Sequence, residues 1–264
     1  MLVRASSLCS GSSGNAIFIQ NGQDKFVVDC GLNGRQFASR LASLDVMPQD
    51  LQGIVITHEH KDHISGLGVV LRRYGLPLYI TEKTLAASLP EIGSFDASLV
   101  RVLEAGTAFA IGDTKLTPIE LSHDAVEPQG YRIHTAKGDI AICTDTGSIH
   151  AKTLKSLLNA KLLFLEANYD EELLRLGPYP KWLKQRVAGD YGHLSNRLAG
   201  KLLQFLLQQG TEKIVLSHLS KQNNYPALAQ STVCSYLKQI GAKINADYQL
   251  LVAPRYEPSP VMEL

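Results

Sequence analysis

The sequence predicts an α+β fold in which two β-sheets stack face to face and helices cover their outer surfaces. Three observations carry this expectation. Short apolar runs of strand length occur in both halves of the 264-residue chain, helical periodicities occur in both halves, and nothing resembling a linker separates them. One domain over residues 1–264 is therefore expected. With 45% hydrophobic and 19% charged residues the chain can bury a substantial core without a disulfide or metal staple.

The elements follow in order. Leu2–Leu8, Asn15–Gln20 and Lys25–Asp29 are strand-like segments joined by Gly/Ser or Asn-Gly turns, so the chain opens in hairpins. Phe37, Leu41 and Leu44 recur at helical spacing, and the helix should end at Met47-Pro48. Gly53–Ile56, with two Ile and one Val, reads as a buried strand. Leu67, Val70, Leu71 and Tyr74 trace a helix beginning near His63, in which Gly66 and Gly68 should allow close approach to the sheet. Pro77–Thr81 is a strand, Glu82–Leu89 a short helix, and Leu99–Glu120 two or three strands broken at Ala105-Gly106 and Gly112-Asp113. Gly130–Thr135 and Asp139–Thr144 flank Lys137-Gly138 as a hairpin. Helix Ile149–Leu158, strand Leu162–Glu166, helices near Glu171–Leu176 and Trp182–Ala188, and helix Leu194–Gln208 come next. Strand Lys213–Ser217, helix Ala227–Ile240 and strand Tyr248–Val252 complete the pattern. Tyr256–Leu264, with two prolines, should be an irregular tail, and no internal repeat is visible.

Charge and cysteine usage narrow the classes. A formal net charge of +1 excludes a globally basic nucleic-acid binder, so any polyanion must be held by a local patch. Cys9, Cys30, Cys143 and Cys234 are dispersed without C-x-x-C pairing, as expected of reduced thiols in the cytosol. The N-terminus lacks the pattern of a secretory leader and no apolar run approaches ~20 residues, so a cytoplasmic protein with no membrane association is expected. No obligate protein partner is evident.

The densest chemistry is Thr57-His58-Glu59-His60-Lys61-Asp62-His63, directly after the buried strand. If the strand exit stays extended, His58 and His60 point to one side ~7 Å apart along the backbone and can close on one ion. Asp62 and His63, entering a helix, diverge by roughly 100° and are better placed for a neighbouring ion. His123, Asp145 and His218 each follow an apolar strand, and strand-terminal polar residues gather at one sheet edge. A site for two divalent ions is the expectation. Nitrogen and carboxylate ligands without thiolate suit zinc or manganese, with iron also compatible.

At this point the sequence resembles the metallo-β-lactamase superfamily. The H-x-H-x-D-H run at His58, His60, Asp62 and His63 carries the resemblance, with His123, Asp145 and His218 following in order. More narrowly, the opening Leu8-Cys9-Ser10-Gly11-Ser12-Ser13-Gly14-Asn15 and the closing Ser217-His218-Leu219-Ser220, followed by Asn223-Asn224, look like the small exonuclease-like YycJ/WalJ group. The resemblance implies a four-layer αββα sandwich. It also implies that His58, His60 and His123 hold one metal, that Asp62, His63 and His218 hold the other, and that Asp145 bridges them.

Glu166 at a strand end and His193 before a helix resemble the paired Glu and His of nucleases in the same superfamily, where the pair moves protons. His193 would be the general acid and Glu166 would hold it, with Asp62 the carboxylate whose loss abolishes turnover. Substrate contacts are sought at Ser12, Ser13 and Asn15 in the Ser/Gly segment and at Ser195 and Asn196 after His193. Cations at Lys61, Arg72, Arg73, Lys181, Lys184, Arg186, Arg197 and Lys221 could meet phosphates. Tyr131, Tyr169, Tyr179, Trp182 and Tyr191 could stack bases. The expected function is hydrolysis of nucleic-acid phosphodiesters by a hydroxide that two metals activate. The resemblance implies a 5′-to-3′ exonuclease on DNA, and against it stand a small-molecule hydrolase (cyclic phosphodiesterase, thioesterase or lactonase) and a non-catalytic metal-bound regulator.

Overall fold

The computed structural model describes residues 1–264. In the first half the elements are β1 (Val3–Cys9), β2 (Ala16–Asn21), β3 (Asp24–Val28), α1 (Gly34–Ala42), β4 (Gly53–Val55), α2 (Lys61–Ile64), α3 (Leu67–Tyr74), β5 (Leu78–Thr81), α4 (Glu82–Ile92) and β6 (Val100–Leu103). The second half holds β7 (Phe109–Ile111), β8 (Thr114–Glu120), β9 (Gln129–Ile133), β10 (Asp139–Cys143), α5 (Ala151–Leu157), β11 (Ala160–Glu166), α6 (Glu171–Leu176), α7 (Lys181–Val187), α8 (Asn196–Gln208), β12 (Lys213–Ser217), α9 (Pro226–Gln239), β13 (Gln249–Val252) and β14 (Met262–Glu263).

Side-chain alternation along the strands builds the layers. In β10, Ile140 and Ile142 face the other sheet while Ala141 and Cys143 face helices; in β11, Leu162 and Phe164 oppose Leu163 and Leu165 in the same way. Val55, Phe26 and Ile19 meet Tyr131, Phe164 and Val215 between the sheets. Phe37, Leu41, Leu67 and Leu71 close the outer face of one sheet, and Leu203, Leu206, Val233 and Leu237 that of the other. The result is an αββα sandwich. No helix is long and apolar enough to cross a membrane.

The strand orders are β14-β1-β2-β3-β4-β5-β6 and β13-β12-β11-β10-β9-β8-β7. Within the first sheet, β1 to β3 pair antiparallel and β3 to β6 parallel; within the second, β8 to β10 pair antiparallel and β10 to β13 parallel. The two halves thus repeat one topology that the sequence does not display. Pairing order is a backbone property, and many apolar sequences satisfy it.

Three local expectations are corrected. The tail is irregular only as far as Val261 and is packed at its end: Ser259 N–H donates to Ser7 O at 2.8 Å, β14 pairs antiparallel with β1, and Met262 is buried between the sheets. Its prolines flank the pairing residues on an edge strand, where a missing N–H is tolerated. Gly66 and Gly68 serve close approach to the loop before α1 and to the C-terminal end of α4 rather than to the sheet, since a Cβ would lie 1.6 Å from Leu32 O and 1.9 Å from Ile92 O respectively. α4 runs on to Ile92 with Pro90 inside it, because buried Ile92 anchors a last turn where one lost hydrogen bond is cheap.

Two measurements check this architecture. Met262→Ala should lower the unfolding free energy by about 2 kcal/mol, the lower end for a buried methionine, seen as a lower urea midpoint; an unchanged midpoint would mean the tail is not packed. Burial pushes the Cys9 thiol up to about 12 against the pull of Arg40, and pushes Cys30 and Cys143 upward as well. Thiolate is the reactive form. A disulfide reagent should therefore titrate one thiol in the folded chain, lost in Cys234→Ser, whereas all four should react in denaturant.

Candidate metal centre

The residues singled out in the sequence converge on one edge of the sandwich. His58 and His60 follow β4, Asp62 and His63 lie on α2, His123 follows β8, Asp145 follows β10, Glu166 ends β11 and His218 follows β12. At two of these exits the backbone is left-handed, at Asp145 (φ 62°) and His218 (φ 56°), as it is at Asp29 (φ 64°) where β3 ends. Such φ values are uncommon for residues with a Cβ and cluster where side chains must be aimed. The α2 turn is clamped from below: Asn15 N–H donates to Asp62 O at 2.8 Å and Cys30 N–H to His63 O at 2.7 Å. Gly31 permits this contact, because a Cβ there would sit 1.8 Å from Asp62 O.

His58, His60 and His123 form the first group, each offering a ligand atom within 4.8 Å of the others. Their ring states can be argued from partners. Thr57 Oγ1 donates to Asp29 and accepts from His58 Nδ1 at 2.9 Å, so His58 Nε2 carries the lone pair, and that atom is buried with no hydrogen-bond partner. His123 Nδ1 donates to Gly192 O at 3.0 Å, which leaves its Nε2 bare 3.1 Å from His60 Nδ1. Burial and the neighbouring His63 hold the His58 pKa well below its usual value. Neutral imidazoles with converging lone pairs are what a cation requires.

Asp62, His63 and His218 form the second group, and Asp145 joins His58 and His63 in a third that touches both. His63 Nδ1 lies 2.7 Å from Asp29 Oδ2, which turns its Nε2 toward Asp145 Oδ2 at 3.3 Å. His218 spans Asp62 Oδ2 at 3.1 Å and Asp145 Oδ1 at 2.8 Å. Burial opposes charge on both rings, yet the carboxylates prevail and hold both pKa values well above the ordinary histidine value. Asp145 Oδ2 is itself buried without a hydrogen-bond partner. Buried carboxylates demand compensating positive charge. Orphaned lone pairs beside them fit divalent cations on the donor chemistry, and the fold implies divalent metal binding.

Beside this cluster, Glu166 is fully buried and four-fold engaged. Its Oε2 accepts from Thr146 N–H at 2.9 Å and Leu194 N–H at 3.1 Å, while Oε1 lies 2.6 Å from His193 Nδ1 and 3.1 Å from His218 Nδ1. Burial disfavours a charged His193 ring, but Glu166 outweighs it and raises the pKa. The ring's other edge borders a polar cavity of about 290 Å³ walled by His60, Asp62, Asp145 and His218 on one side and by Tyr179, Leu183, Arg186 and Val187 on the other.

The substrate residues expected from sequence divide. Ser12 lines the cavity; Ser13 does not. Asn15 is buried, with Nδ2 3.1 Å from Asp62 Oδ2 and 3.0 Å from His63 Nε2, so it steadies the cluster. Ser195 and Asn196 are buried and occupied elsewhere: Ser195 Oγ caps α8 by accepting from Leu198 N–H, and Asn196 pairs with Asn224. They cannot meet a substrate, because capping and amide pairing consume the groups that would. Among the cations, Lys61 and Arg186 line the cavity, while Arg72 is bonded to Ile92 O and Ser94 O and Arg197 to Glu171. Tyr131 is buried and donates to Ile56 O at 2.7 Å, so it stacks no base.

Sequence reasoning missed Asp29 and Asp124. Asp29 ends the apolar run Phe26–Val28, the same pattern that flagged Asp145, and could have been found by it. Asp124 follows His123, lies 3.6 Å from its Nε2, and pairs with Arg186 across the cavity; no sequence pattern announces that contact. Since the Asp29 carboxylate orients both Thr57 and His63, Asp29→Asn should lower metal affinity about 10- to 100-fold, as loss of a ligand's supporting partner commonly does. Metal retained per chain after dialysis against graded chelator reads this, and unchanged retention would remove Asp29 from the site.

Residues 24–219 match the family model described as a β-lactamase superfamily domain. The chain is 40% identical over 257 residues to exodeoxyribonuclease WalJ of Streptococcus pneumoniae serotype 2, covering 97% of this chain and 94% of that protein. It is 34% identical over 245 residues to exodeoxyribonuclease YycJ of Bacillus anthracis, covering 93% of each. The crystal structure of the metallo-β-lactamase fold protein YhfI from Bacillus subtilis superposes over 100% of both chains with a TM-score of 0.73 at 16% identity, a likeness of fold alone. This chain belongs to the metallo-β-lactamase superfamily, within the family that holds the WalJ and YycJ proteins.

Proposed function

We propose that this chain is a metal-dependent phosphodiesterase that degrades DNA from a 5′ end. The observation that carries the chemistry is the Glu166–His193 pair, a buried carboxylate gripping one edge of an imidazole whose other edge borders the cavity beside the His/Asp cluster. Phosphodiester cleavage needs a proton for the leaving oxygen, and an imidazolium held by a carboxylate supplies one. The choice of DNA rests on the likeness to WalJ and YycJ, both named exodeoxyribonucleases; the 5′ direction carries over from the sequence resemblance and is decided by end-labelled substrates.

In this reading His58, His60 and His123 hold one divalent ion, Asp62, His63 and His218 a second, and Asp145 serves both, with zinc or manganese the best-suited metals and iron compatible. Bound there, such ions would offset phosphate charge and lower the pKa of a water. The chain's own groups do the rest. His193 keeps its proton at Nε2 for the leaving oxygen while Glu166 fixes the ring through Nδ1. Asp62, whose side chain is 22% exposed against 2% for Asp145, is the carboxylate of the cluster best able to meet an incoming water. Tyr179, Leu183 and Val187 wall the cavity opposite and limit solvent access.

Protein loaded with zinc or manganese should shorten single-stranded DNA. A 5′-labelled strand should release short product at once and a 3′-labelled strand should give a ladder; parallel RNA substrates decide the nucleic acid. Asp62→Ala should abolish cleavage, and His193→Ala should lower turnover by ~10²–10⁴ while metal content stays at the wild-type level. Metal lost with His193 would make that residue structural. DNA left intact throughout, or turnover of thioesters or lactones instead of bis(p-nitrophenyl) phosphate, would overturn the proposal.

A further inference from the structure

α7 adds nothing to the core. None of its residues is buried, yet it lies over the cavity, held by the Arg186–Asp124 pair and by Lys184 Nζ donating to Arg175 O at 2.7 Å. A helix kept in place without a packing role is available for a surface role. Leu183, Arg186 and Val187 face the cavity, and Lys181, Lys184, Gln185 and Ala188 border a cleft on the reverse side. Between the two faces Trp182 projects from the outward edge. It is 64% exposed, and Tyr191, just beyond the helix, is 67% exposed.

On a helical wheel Trp182 stands about 40° from Arg186 and just over one turn, about 6 Å, along the axis from it. Lys181 and Gln185 complete the same exposed edge. The segment from Leu173 to Gly189 carries Arg175, Lys181, Lys184 and Arg186 in a chain whose net charge is only +1; Arg175 is paired with Glu172 and Arg186 with Asp124, so Lys181 and Lys184 are its cations without a carboxylate partner. An aromatic face left in water between cations matches the backbone charge and free base faces of an unpaired strand, and a duplex hides those faces. A protein partner would be expected to cover Trp182 with apolar surface, and this edge offers cations around it instead.

We infer that the outward edge of α7 is the docking surface for a single strand of nucleic acid, with Arg186 at the cavity mouth and Trp182 as a base-stacking platform one helical turn away. This rests on the nuclease reading and specifies how the strand reaches the site. Trp182 is the only tryptophan in the chain, so its emission reports this surface alone.

The test titrates metal-loaded protein with oligothymidylate protected from cleavage by phosphorothioate linkages. Emission should be quenched by the single strand and far less by a duplex. Trp182→Ala should weaken single-strand binding about 5- to 150-fold, as expected for one stacked base, and Trp182→Phe should restore part of it. Lys181→Ala should lower the dependence of log affinity on log salt by about 0.7, one phosphate contact on a single strand. In the same preparations Trp182→Ala should raise KM for single-stranded DNA and leave hydrolysis of bis(p-nitrophenyl) phosphate at the wild-type rate. Unchanged affinity and KM in Trp182→Ala while the wild type degrades DNA would overturn this inference and spare the nuclease reading. Wild-type protein that cleaves bis(p-nitrophenyl) phosphate but leaves DNA intact would instead sink the nuclease reading. Emission that shifts with protein concentration alone, with a dimer on size exclusion lost in Trp182→Ala, would assign the surface to a second copy of the chain and overturn the inference.

Discussion

Asp29, Asp62, Asp145 and Glu166 are gathered at one edge of two stacked sheets, Asp29, Asp145 and Glu166 of them buried and Asp62 partly open to the cavity, and the charge of the buried three must be answered locally. Water cannot do it there, and no lysine or arginine reaches them. The answering groups are imidazoles: His63 and His218 wedged between carboxylates, and His193 gripped by Glu166. At His58 and His123 burial outweighs the nearby carboxylates and holds both pKa values below the ordinary histidine value. One balance of burial against carboxylate charge therefore lowers the pKa of His58 and His123 and raises that of His63, His193 and His218.

That arrangement depends on backbone that most sequences avoid. Asp29, Asp145 and His218 each leave a strand in the left-handed region, at some conformational cost, and each turns its side chain back over the sheet edge. Asp29 and Asp145 end β3 and β10, which occupy equivalent places in the two repeated sheets. One aspartate steers ligands and its counterpart lies among them. The duplicated topology thus supplies two similar strand exits, and the side chains around each decide what the aspartate does.

The helical excursion of α6 and α7 is a second layer laid over this edge. It closes the cavity with half-buried Leu183 and Val187 and crosses it with the Arg186–Asp124 pair, while its own helix contributes no buried side chain. The His/Asp cluster sits at strand ends and on α2, while α7 faces the solvent. If the proposed roles hold, the groups that need fixed geometry and the surface that needs access lie on different elements.

Much of this could be read from residues alone. Apolar runs ending in His, Asp or Glu marked the strand exits, and the spacing of His58, His60, Asp62 and His63 marked the site, because both depend on local periodicity. The tail strand escaped notice because its partner, β1, lies more than 250 residues away in sequence. Ser195 and Asn196 looked like substrate contacts because a polar side chain reads alike whether it meets water or a buried partner. Residue types and local spacing by themselves marked which groups could bind a metal, while the proton role of Glu166 and His193 came from the family resemblance. Only the tertiary structure decided that Asp29 steers two of those groups, that Asp124 and Arg186 meet across the cavity, and that Trp182 stands in solvent, since each depends on contacts between segments far apart in the chain.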